Sequence, residues 1–287
     1  LSRGLGDVYK RQSEYFLAGK SQNWFVVGSS LFAASVSSST LMGHSGEGFI
    51  SGIAVFNYNV GAIFVIIFVS LFFLPFYIKS GIYTIPEYLG RRFDNRSRKY
   101  FSFITIIGNV FLDAGAALYT GALILKIIFP EIDMMWIIIG MALMAGTYTI
   151  IGGLSSAINA DMIQSIILIA GSVLLSIFCF NSVGGWENFV EHFHDGVWLN
   201  LIRPNSDTTV PWFSIFLSIP ILGFYFWGNN QVIVQRVMSA KTVNEGRLGF
   251  LFVAFLYVFT LFIFIAPGMV GSCLLYTSPS PRDRQKS

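Results

Sequence analysis

The stretch AASVSSSTLMGHSGEGF, from Ala33 to Phe49, lies inside a long apolar segment and is unusually rich in polar and small residues. Serine or threonine occupies five of the six positions from Ser35 to Thr40, and three glycines follow before Phe49. In hydrocarbon every backbone group must be satisfied within the protein, and serine and threonine side chains compete with the helix for those groups. The pattern therefore predicts a membrane span whose helix unwinds around Ala33–Ser37. A continuous helix that packs through small residues is the alternative.

The chain as a whole has the composition of a membrane protein. Of its 287 residues 54% are hydrophobic and only 11% are charged, whereas soluble domains carry about 25% charged residues. A spanning helix needs about 20 mainly apolar residues. Seven stretches meet this requirement: 24–50, 53–78, 100–127, 134–153, 160–182, 212–233 and 248–272. We therefore predict an all-α membrane protein with the lipid bilayer as its main partner.

Both ends of the chain differ from the rest. The opening SRGLGDVYKRQ and the closing CLLYTSPSPRD correspond to translations of a sequencing-library oligonucleotide and of its reverse complement. We interpret residues 1–12 and 273–287 as library-adapter translation, and residues 13–272 as a transporter fragment. Removing the six basic and two acidic residues of these ends leaves twelve basic and thirteen acidic residues. The basic excess disappears, so the charge does not favour a nucleic-acid partner.

Loop charges predict the orientation of the spans. The connection 79–99 holds six basic residues against Glu87 and Asp94, whereas 183–211 holds four acidic residues against Arg203. Basic residues concentrate on the cytoplasmic side of membrane proteins. We therefore expect 79–99 inside and 183–211 outside, in a multi-pass protein of the plasma (inner) membrane.

A second span also contains helix-breaking residues. Pro220 and Gly223 stand at the centre of WFSIFLSIPILGFYFWGNNQVIV, and Asn229 and Asn230 follow toward its inner end. Proline removes a backbone donor and clashes with the preceding turn, so we expect this sixth span to be interrupted. Interrupted spans at corresponding positions of inverted halves indicate the binding site of a secondary transporter, in which unwound carbonyls can hold an ion.

Two acidic residues fall inside predicted spans. Asp113 lies deep in the third span, and Asp161 opens the fifth near the inner face. Charge inside a membrane is costly, so each is a candidate functional residue. The alternatives are a structural interhelical bond for Asp113 and a favourable helix-terminal charge for Asp161. In the outer loop, His192 and His194 are more typical of a solvated segment than of a metal site. No nucleophile–base pair or phosphate loop is found, so we expect neither an enzyme nor a metal besides sodium.

Four stretches resemble the sodium/solute symporter family, which includes the sodium–glucose cotransporters. They are FLAGKSQNWFVVGSSLFAASVSSSTLMGHSGEGF, FLPFYIKSGIYTIPEYLGRRF, IIGGLSSAINADMIQS and YFWGNNQVIVQRVMSAK. The resemblance implies a five-plus-five inverted-repeat core of the LeuT-like type, truncated here to about seven transmembrane helices. It also implies sodium-coupled import of a small polar solute by alternating access.

The same resemblance assigns sodium and gate positions. The backbone carbonyls of Ala33 and Val36 match the family's sodium site, and Asp161 matches an aspartate associated with sodium handling. The aromatic positions around an inner gate fall on Phe226, Tyr225 and Trp227.

The sugar contacts of the family do not carry over to this sequence. Five positions that are Gln, Glu, Ser, Asn and Lys in a bacterial galactose transporter of the family appear here as Thr40, Asn59, Ala62, Gly223 and Tyr257. The expected solute is a sugar or polyol, held through Thr40, Asn59, Tyr257 and Asn229. A sodium-coupled carboxylate or amino-acid symporter and a transporter-like sensor domain are the alternatives. No buried arginine or lysine is expected to pair with a carboxylate. Residues 13–272 alone should not transport, because the core helices after the seventh are missing.

Overall fold

The computed structural model describes residues 14–193 and 196–277, and its regular structure is helical. The α-helices are α1 (Trp24–Ser35), α2 (Ser38–Ser51), α3 (Asn57–Phe68), α4 (Leu74–Ser80), α5 (Ile85–Arg92), α6 (Asn95–Ile107), α7 (Gly115–Ile128), α8 (Met134–Ser182), α9 (Trp186–His192), α10 (Trp212–Phe216), α11 (Ser218–Phe224), α12 (Gln231–Met238), α13 (Val243–Val258) and α14 (Ala266–Thr277). Short 3₁₀ helices cover Ala18–Lys20, Gly52–Phe56 and Val197–Leu199. Segments of π-helix cover Val69–Phe73, Gly108–Ala114, Tyr225–Asn229 and Leu261–Ile265. This architecture agrees with the predicted all-α class.

The described residues form two compact units. The first comprises 14–40, 64–166 and 222–255, and the second comprises 41–63, 167–193, 196–221 and 256–277. In the first unit a buried cluster is formed by Leu17, Tyr77, Ile82, Ile85, Val234 and Met238. In the second unit a smaller cluster is formed by Ala54, Val210 and Ile219.

Side-chain caps set the helix boundaries in the predicted cytoplasmic connection. Thr84 accepts a hydrogen bond from the backbone N–H of Glu87 at 3.2 Å, and the Glu87 carboxylate accepts one from the N–H of Tyr83 at 2.9 Å. Asp94 caps α6 by accepting from the N–H of Ser97 at 2.7 Å. These bonds satisfy donors that a helix start otherwise leaves unpaired. The α5 and α6 starts therefore follow directly from the local sequence.

The first predicted span is interrupted where the serine-rich stretch indicated. Helix α1 ends at Ser35 and α2 begins at Ser38, with Val36 in an extended conformation at φ −113° and ψ 91°. The predicted unwinding around Ala33–Ser37 is confirmed, and the continuous-helix alternative is excluded.

The sixth span is interrupted as predicted, at two positions. Helix α10 ends at Phe216 and α11 begins at Ser218, so Leu217, at φ −109° and ψ −63°, separates two helices just before Pro220. Pro220 is then the third residue of α11, where a proline costs no helix hydrogen bond. The second interruption is at Asn230, which is extended at φ −66° and ψ 122°.

The fourth and fifth predicted spans, 134–153 and 160–182, belong to one helical run. Helix α8 extends over 49 residues, and no loop separates its halves. Gly153, at φ 60° and ψ −155°, is the residue with non-helical angles inside it. An ideal Cβ at this position would lie 2.8 Å from the Tyr15 carbonyl oxygen. The direction of the chain therefore changes at a single glycine rather than over residues 154–159.

Several helices are long and apolar enough to cross a membrane. Within the described residues they are Ser38–Ser80, Asn95–Ile128, Met134–Ser182 and Trp212–Asn229, with Val243–Val258 and Leu261–Leu275 as a bent fifth candidate. At about 1.5 Å per residue, the 43 residues of Ser38–Ser80 and the 49 of Met134–Ser182 each exceed twice the roughly 30 Å hydrocarbon core. Both runs contain a glycine at positive φ, Gly52 in one and Gly153 in the other. The seven predicted spans therefore all fall on helical segments. The fourth and fifth spans adjoin at the kink of Gly153 and the first and second adjoin at Gly52, whereas the break at Val36 divides the first span itself.

Candidate functional site

A cavity of about 250 Å³ lies in the first compact unit, at the break between α1 and α2. Its polar lining comes from Ser35, Ser37, Ser39, Thr40, Asp113 and Asn230. Apolar side chains, with Phe226 the largest, complete the wall. Three regions far apart in sequence therefore meet here: the first break, the π-helical segment of the third span and the break of the sixth span.

Ser37 organises the break in the first span. Its hydroxyl accepts a hydrogen bond from the backbone N–H of Thr40 at 3.2 Å, as an N-cap residue of α2 does. The same oxygen lies 2.7 Å from the Ser39 hydroxyl and 3.1 Å from the Thr40 hydroxyl. Ser38 bonds outward to the Ala117 carbonyl of α7 at 2.7 Å. The serine cluster thus caps a helix, links three hydroxyls and fastens the break to a neighbouring span.

The predicted sodium ligands Ala33 and Val36 lie at this break. The Ala33 carbonyl accepts a hydrogen bond from the Val36 N–H at 3.2 Å. A carbonyl oxygen has two lone pairs, so this bond leaves acceptor capacity at Ala33. The turn keeps backbone oxygen atoms of both residues outside the regular ladder of α1.

The break in the sixth span places one of two adjacent asparagines in the cavity. Asn230 is buried, lines the cavity and caps α12 by accepting from the N–H of Val232 at 2.9 Å. Asn229, the residue predicted to bind solute, is exposed and is not among the lining residues. Because the backbone is extended at Asn230, the two side chains leave the chain in different directions. Sequence spacing alone could not distinguish them.

The aromatic gate residues occupy three different environments. Phe226 lines the cavity, Tyr225 is exposed, and Trp227 is 2% exposed. Next to them, the buried Tyr77 hydroxyl donates a hydrogen bond to the Gly228 carbonyl at 2.8 Å. Of the three aromatic residues, only Phe226 is therefore placed to contact a molecule in the cavity.

Asp113 is the one ionisable residue among those that line the cavity. Within residues 14–193 and 196–277 its carboxylate has no hydrogen-bond or ion-pair partner. Its position in the middle of the Asn95–Ile128 span makes contact with lipid costly. Asp113 is exposed in the structure, and on its protein side it borders the polar lining of the cavity.

Asp161 pairs with an arginine that the sequence did not indicate. Its Oδ2 atom accepts hydrogen bonds from Arg236 Nε and from the Ser30 hydroxyl, both at 2.8 Å. Arg236 also donates to the Val232 carbonyl at 2.9 Å. Both side chains of the ion pair are nearly buried, and neither residue lines the cavity. The expectation that no buried basic residue is present is therefore wrong.

In the sequence, Arg236 is followed by Lys241 and Arg247, a pattern typical of a basic connection between spans. The structure instead places Arg236 in the last turn of α12. Opposite charges within spans tend to pair. An arginine near the inner end of one span and an aspartate near the inner end of another are a candidate pair on that ground.

Two predicted solute contacts, Asn59 and Tyr257, belong to the second compact unit. Both are buried, and neither is among the cavity's lining residues. The Asn59 Nδ2 atom has no hydrogen-bond partner among the described residues. The Tyr257 carbonyl accepts a hydrogen bond from the Thr260 hydroxyl at 2.6 Å.

A second arginine, Arg203, is buried in the predicted outer loop. It donates to the Ser51 carbonyl at 2.6 Å and to the Asn200 carbonyl at 3.0 Å, and it lies 3.5 Å from Asp207. The backbone N–H of Thr209 lowers the pKa of Asp207, with further lowering by the N–H of Val210 and the charge of Arg203. Arg203 thus links the loop to the end of α2 within the second unit.

The outer-loop histidine pair, His192 and His194, lies only partly within the described residues. In the described stretches no three His, Cys, Asp or Glu residues are grouped as metal ligands. His194 and Asp195 lie outside those stretches, so this comparison does not cover the outer-loop histidine pair.

Comparison with known proteins supplies relatives along almost the entire chain. The chain is 34% identical over 280 residues to a sodium/glucose cotransporter of Vibrio parahaemolyticus, covering 94% of this chain and 51% of that protein. It is 32% identical to sodium/glucose cotransporter 1 of Oryctolagus cuniculus, covering 92% of this chain and 43% of that protein. It is also 32% identical to sodium/myo-inositol cotransporter 2 of Bos taurus, covering 96% and 44%. The chain therefore spans about half the length of the curated relatives it matches.

The fold also matches a solved transporter structure. A Na⁺-coupled sialic acid symporter, in a substrate-bound outward-open state, aligns with a TM-score of 0.82 at 23% identity. The alignment covers 94% of this chain and 57% of that one. This confirms the predicted fold class, an all-α membrane protein with a LeuT-like transporter core. The model of the sodium:solute symporter family matches residues 15–280, so the chain belongs to the sodium:solute symporter family.

Proposed function

We propose that the complete protein is a sodium-coupled symporter that imports a small neutral polar solute, a sugar or polyol, across the plasma membrane. The observation that carries this proposal is the hydroxyl-lined cavity at the helix break of the first span. Relatives named for glucose and for myo-inositol support a polyhydroxylated solute. The chain covers about half of those relatives, so the activity is proposed for the protein encoded by the full reading frame.

In this proposal sodium is cargo that binds at the first-span break. The carbonyls of Ala33 and Val36 supply neutral oxygen ligands, which suit a hard cation. Asp161 is proposed to take part in sodium handling from a carboxylate that Ser30 and Arg236 hold in position. No covalent bond of the solute has to be made or broken, because the transport cycle consists of binding and conformational change.

The solute contacts proposed are hydrogen bonds to hydroxyl groups. Thr40 offers a hydroxyl within the cavity. Asn59 and Tyr257 are proposed as further solute contacts. The Asn59 Nδ2 atom, which has no hydrogen-bond partner among the described residues, supports that role. Asn229 is proposed as a contact that forms when its segment moves. Phe226 acts as the inner gate, with Tyr225 and Trp227 beside it.

The sodium gradient supplies enough free energy for accumulation. One ion crossing about 100 mV releases about 2.3 kcal/mol. A tenfold concentration gradient contributes about 1.4 kcal/mol more. Together these two terms can sustain a ratio of inside to outside solute concentration on the order of several hundred. Sodium and solute would each raise the affinity for the other, because both favour the same conformations.

The test is uptake by proteoliposomes that contain the complete protein. Sequencing the source DNA through codon 272 gives the full reading frame and also tests the proposed adapter origin of residues 1–12 and 273–287. Radiolabelled D-glucose and myo-inositol are then offered with an inward sodium gradient or with sodium replaced by choline. We expect uptake of at least one of them in sodium and background counts in choline. Uptake that is equal in both media would overturn the symport proposal, and sodium-dependent binding without uptake would support the sensor alternative.

A further inference from the structure

We propose that Asp113 determines the charge selectivity of the cavity, so that it accepts neutral polyhydroxylated solutes and rejects anionic ones. This inference rests on the proposed function and adds a role for one residue. The sequence left both a sugar or polyol and a carboxylate as candidate solutes, and this role of Asp113 favours the sugar or polyol.

The first argument comes from the charged residues that line the cavity. Asp113 is the one ionisable residue among the residues that line it, and no arginine or lysine is among them. Arg236, whose α12 neighbours Val232 and Ile233 line the cavity, is held by Asp161 at 2.8 Å and by the Val232 carbonyl at 2.9 Å. A carboxylate solute would therefore enter a site of like charge without a basic partner, which is unfavourable.

The hydrogen-bonding capacity of the lining is the second support. The hydroxyls of Ser35 and Ser37 already bond within the protein, to the Phe32 carbonyl and to neighbouring hydroxyls. Asp113, in contrast, is exposed at the edge of the cavity, and its carboxylate has no partner within the described stretches of the chain. An ionised carboxylate accepts hydrogen bonds and donates none. Solute hydroxyls can donate to it, whereas a solute carboxylate cannot.

The size of the cavity agrees with this solute class. At about 250 Å³ it is smaller than the roughly 300–1,000 Å³ of typical small-molecule pockets. A single sugar ring or a cyclic polyol is compatible with this scale, and so is a small carboxylate. The charge of the lining, rather than the size of the cavity, therefore separates the two classes of solute.

The experiment compares D-glucose with D-glucuronate, which share a ring and differ by one carboxylate. Sodium-driven uptake of each is measured in proteoliposomes containing the complete protein, for the wild type and for Asp113→Asn. Glu131→Gln is the matched control, because it removes the same charge from an exposed loop residue that does not line the cavity. We expect the wild type and the control to favour glucose by at least about tenfold, and Asp113→Asn to lower that ratio about tenfold.

Further outcomes distinguish the failure of this inference from that of the proposed function. If no probe shows sodium-dependent uptake, the proposed function fails and the inference fails with it. If uptake persists and Asp113→Asn leaves the ratio unchanged, only the inference is overturned. The same holds if the variant only raises the sodium concentration that gives half-maximal uptake, because Asp113 would then be a sodium ligand. If Asp113→Asn is inactive, Asp113→Glu decides: recovered uptake with the wild-type ratio supports the inference, and an inactive glutamate variant overturns it.

Discussion

At the scale of single residues, the pair Arg236 and Asp161 shows how the membrane core tolerates charge. Each side chain is nearly buried, and the ion pair is completed by a hydrogen bond from the Ser30 hydroxyl to the carboxylate. Paired charges in a low-dielectric interior roughly offset their own desolvation, whereas a single buried charge does not. The stability of this region therefore depends on both charges being present together.

This dependence predicts the effect of removing one partner. We expect Arg236→Met to destabilise the protein by about 3–5 kcal/mol, because Asp161 is left buried and unpaired. The double variant Arg236→Met/Asp161→Asn should lose clearly less, since no isolated charge remains. Thermal unfolding in detergent, followed by the loss of the monodisperse chromatographic peak, measures both. A double variant less stable than the single one would contradict the argument.

At the scale of elements, Gly153 allows α8 to fold as one helical run despite a change of direction. Its φ of 60° and ψ of −155° lie in a region that is essentially restricted to glycine. A side chain there would also meet the Tyr15 carbonyl oxygen. Glycine at this position therefore serves both the backbone geometry and the close approach of the N-terminal segment.

A matched pair of substitutions tests the requirement for this glycine. We expect Gly153→Ala to lower the unfolding free energy by about 1–3 kcal/mol through backbone strain. Gly171→Ala, in the same helix, has helical backbone angles and open space around the new methyl group. It should be neutral or slightly stabilising, because alanine favours helix over glycine. Equal melting temperatures for the two variants would show that α8 can bend elsewhere.

At the scale of the whole molecule, two carboxylates in the connections link stability to pH. Hydrogen bonds from the backbone N–H and the hydroxyl of Ser97 lower the pKa of Asp94, and the N–H of Thr209 lowers that of Asp207. A carboxyl group whose pKa is depressed by folding stabilises the folded state above its unfolded pKa of about 3.9. That contribution is lost as the pH falls through the folded pKa. Acid should therefore weaken the protein below about pH 4.

The double variant Asp94→Asn/Asp207→Asn tests this prediction. Asparagine keeps an oxygen that can accept the backbone hydrogen bonds but does not titrate. We expect melting temperatures that fall less steeply between about pH 5 and pH 3 than in the wild type. Glu131→Gln, which alters an exposed carboxylate without a hydrogen-bond partner in the described residues, serves as the control. If the melting temperature of the double variant falls as steeply in acid as that of the wild type, Asp94 and Asp207 are not the cause of the pH dependence.

The extent to which the sequence predicted this molecule depended on whether the cause was local. The break after Ser35 was predictable, because neighbouring hydroxyls compete with the helix and Ser37 then caps α2. The interruption at Leu217 was predictable as well, because Pro220 clashes with the preceding turn, whereas the interruption at Asn230 lies ten residues beyond the proline and has no such local cause. The pairing of Asp161 with Arg236 joins residues 75 positions apart. No periodicity or spacing reports such a contact.

The geometry of Gly153 also has a genetic consequence. All glycine codons begin with GG, and every single-base missense change in them introduces a side chain with a Cβ atom. At Gly153 each of these changes meets both a left-handed backbone and the Tyr15 carbonyl oxygen. At Gly171 the same changes meet open space. Inherited variation along α8 should therefore accumulate at Gly171, while codon 153 remains fixed among sequences that still fold.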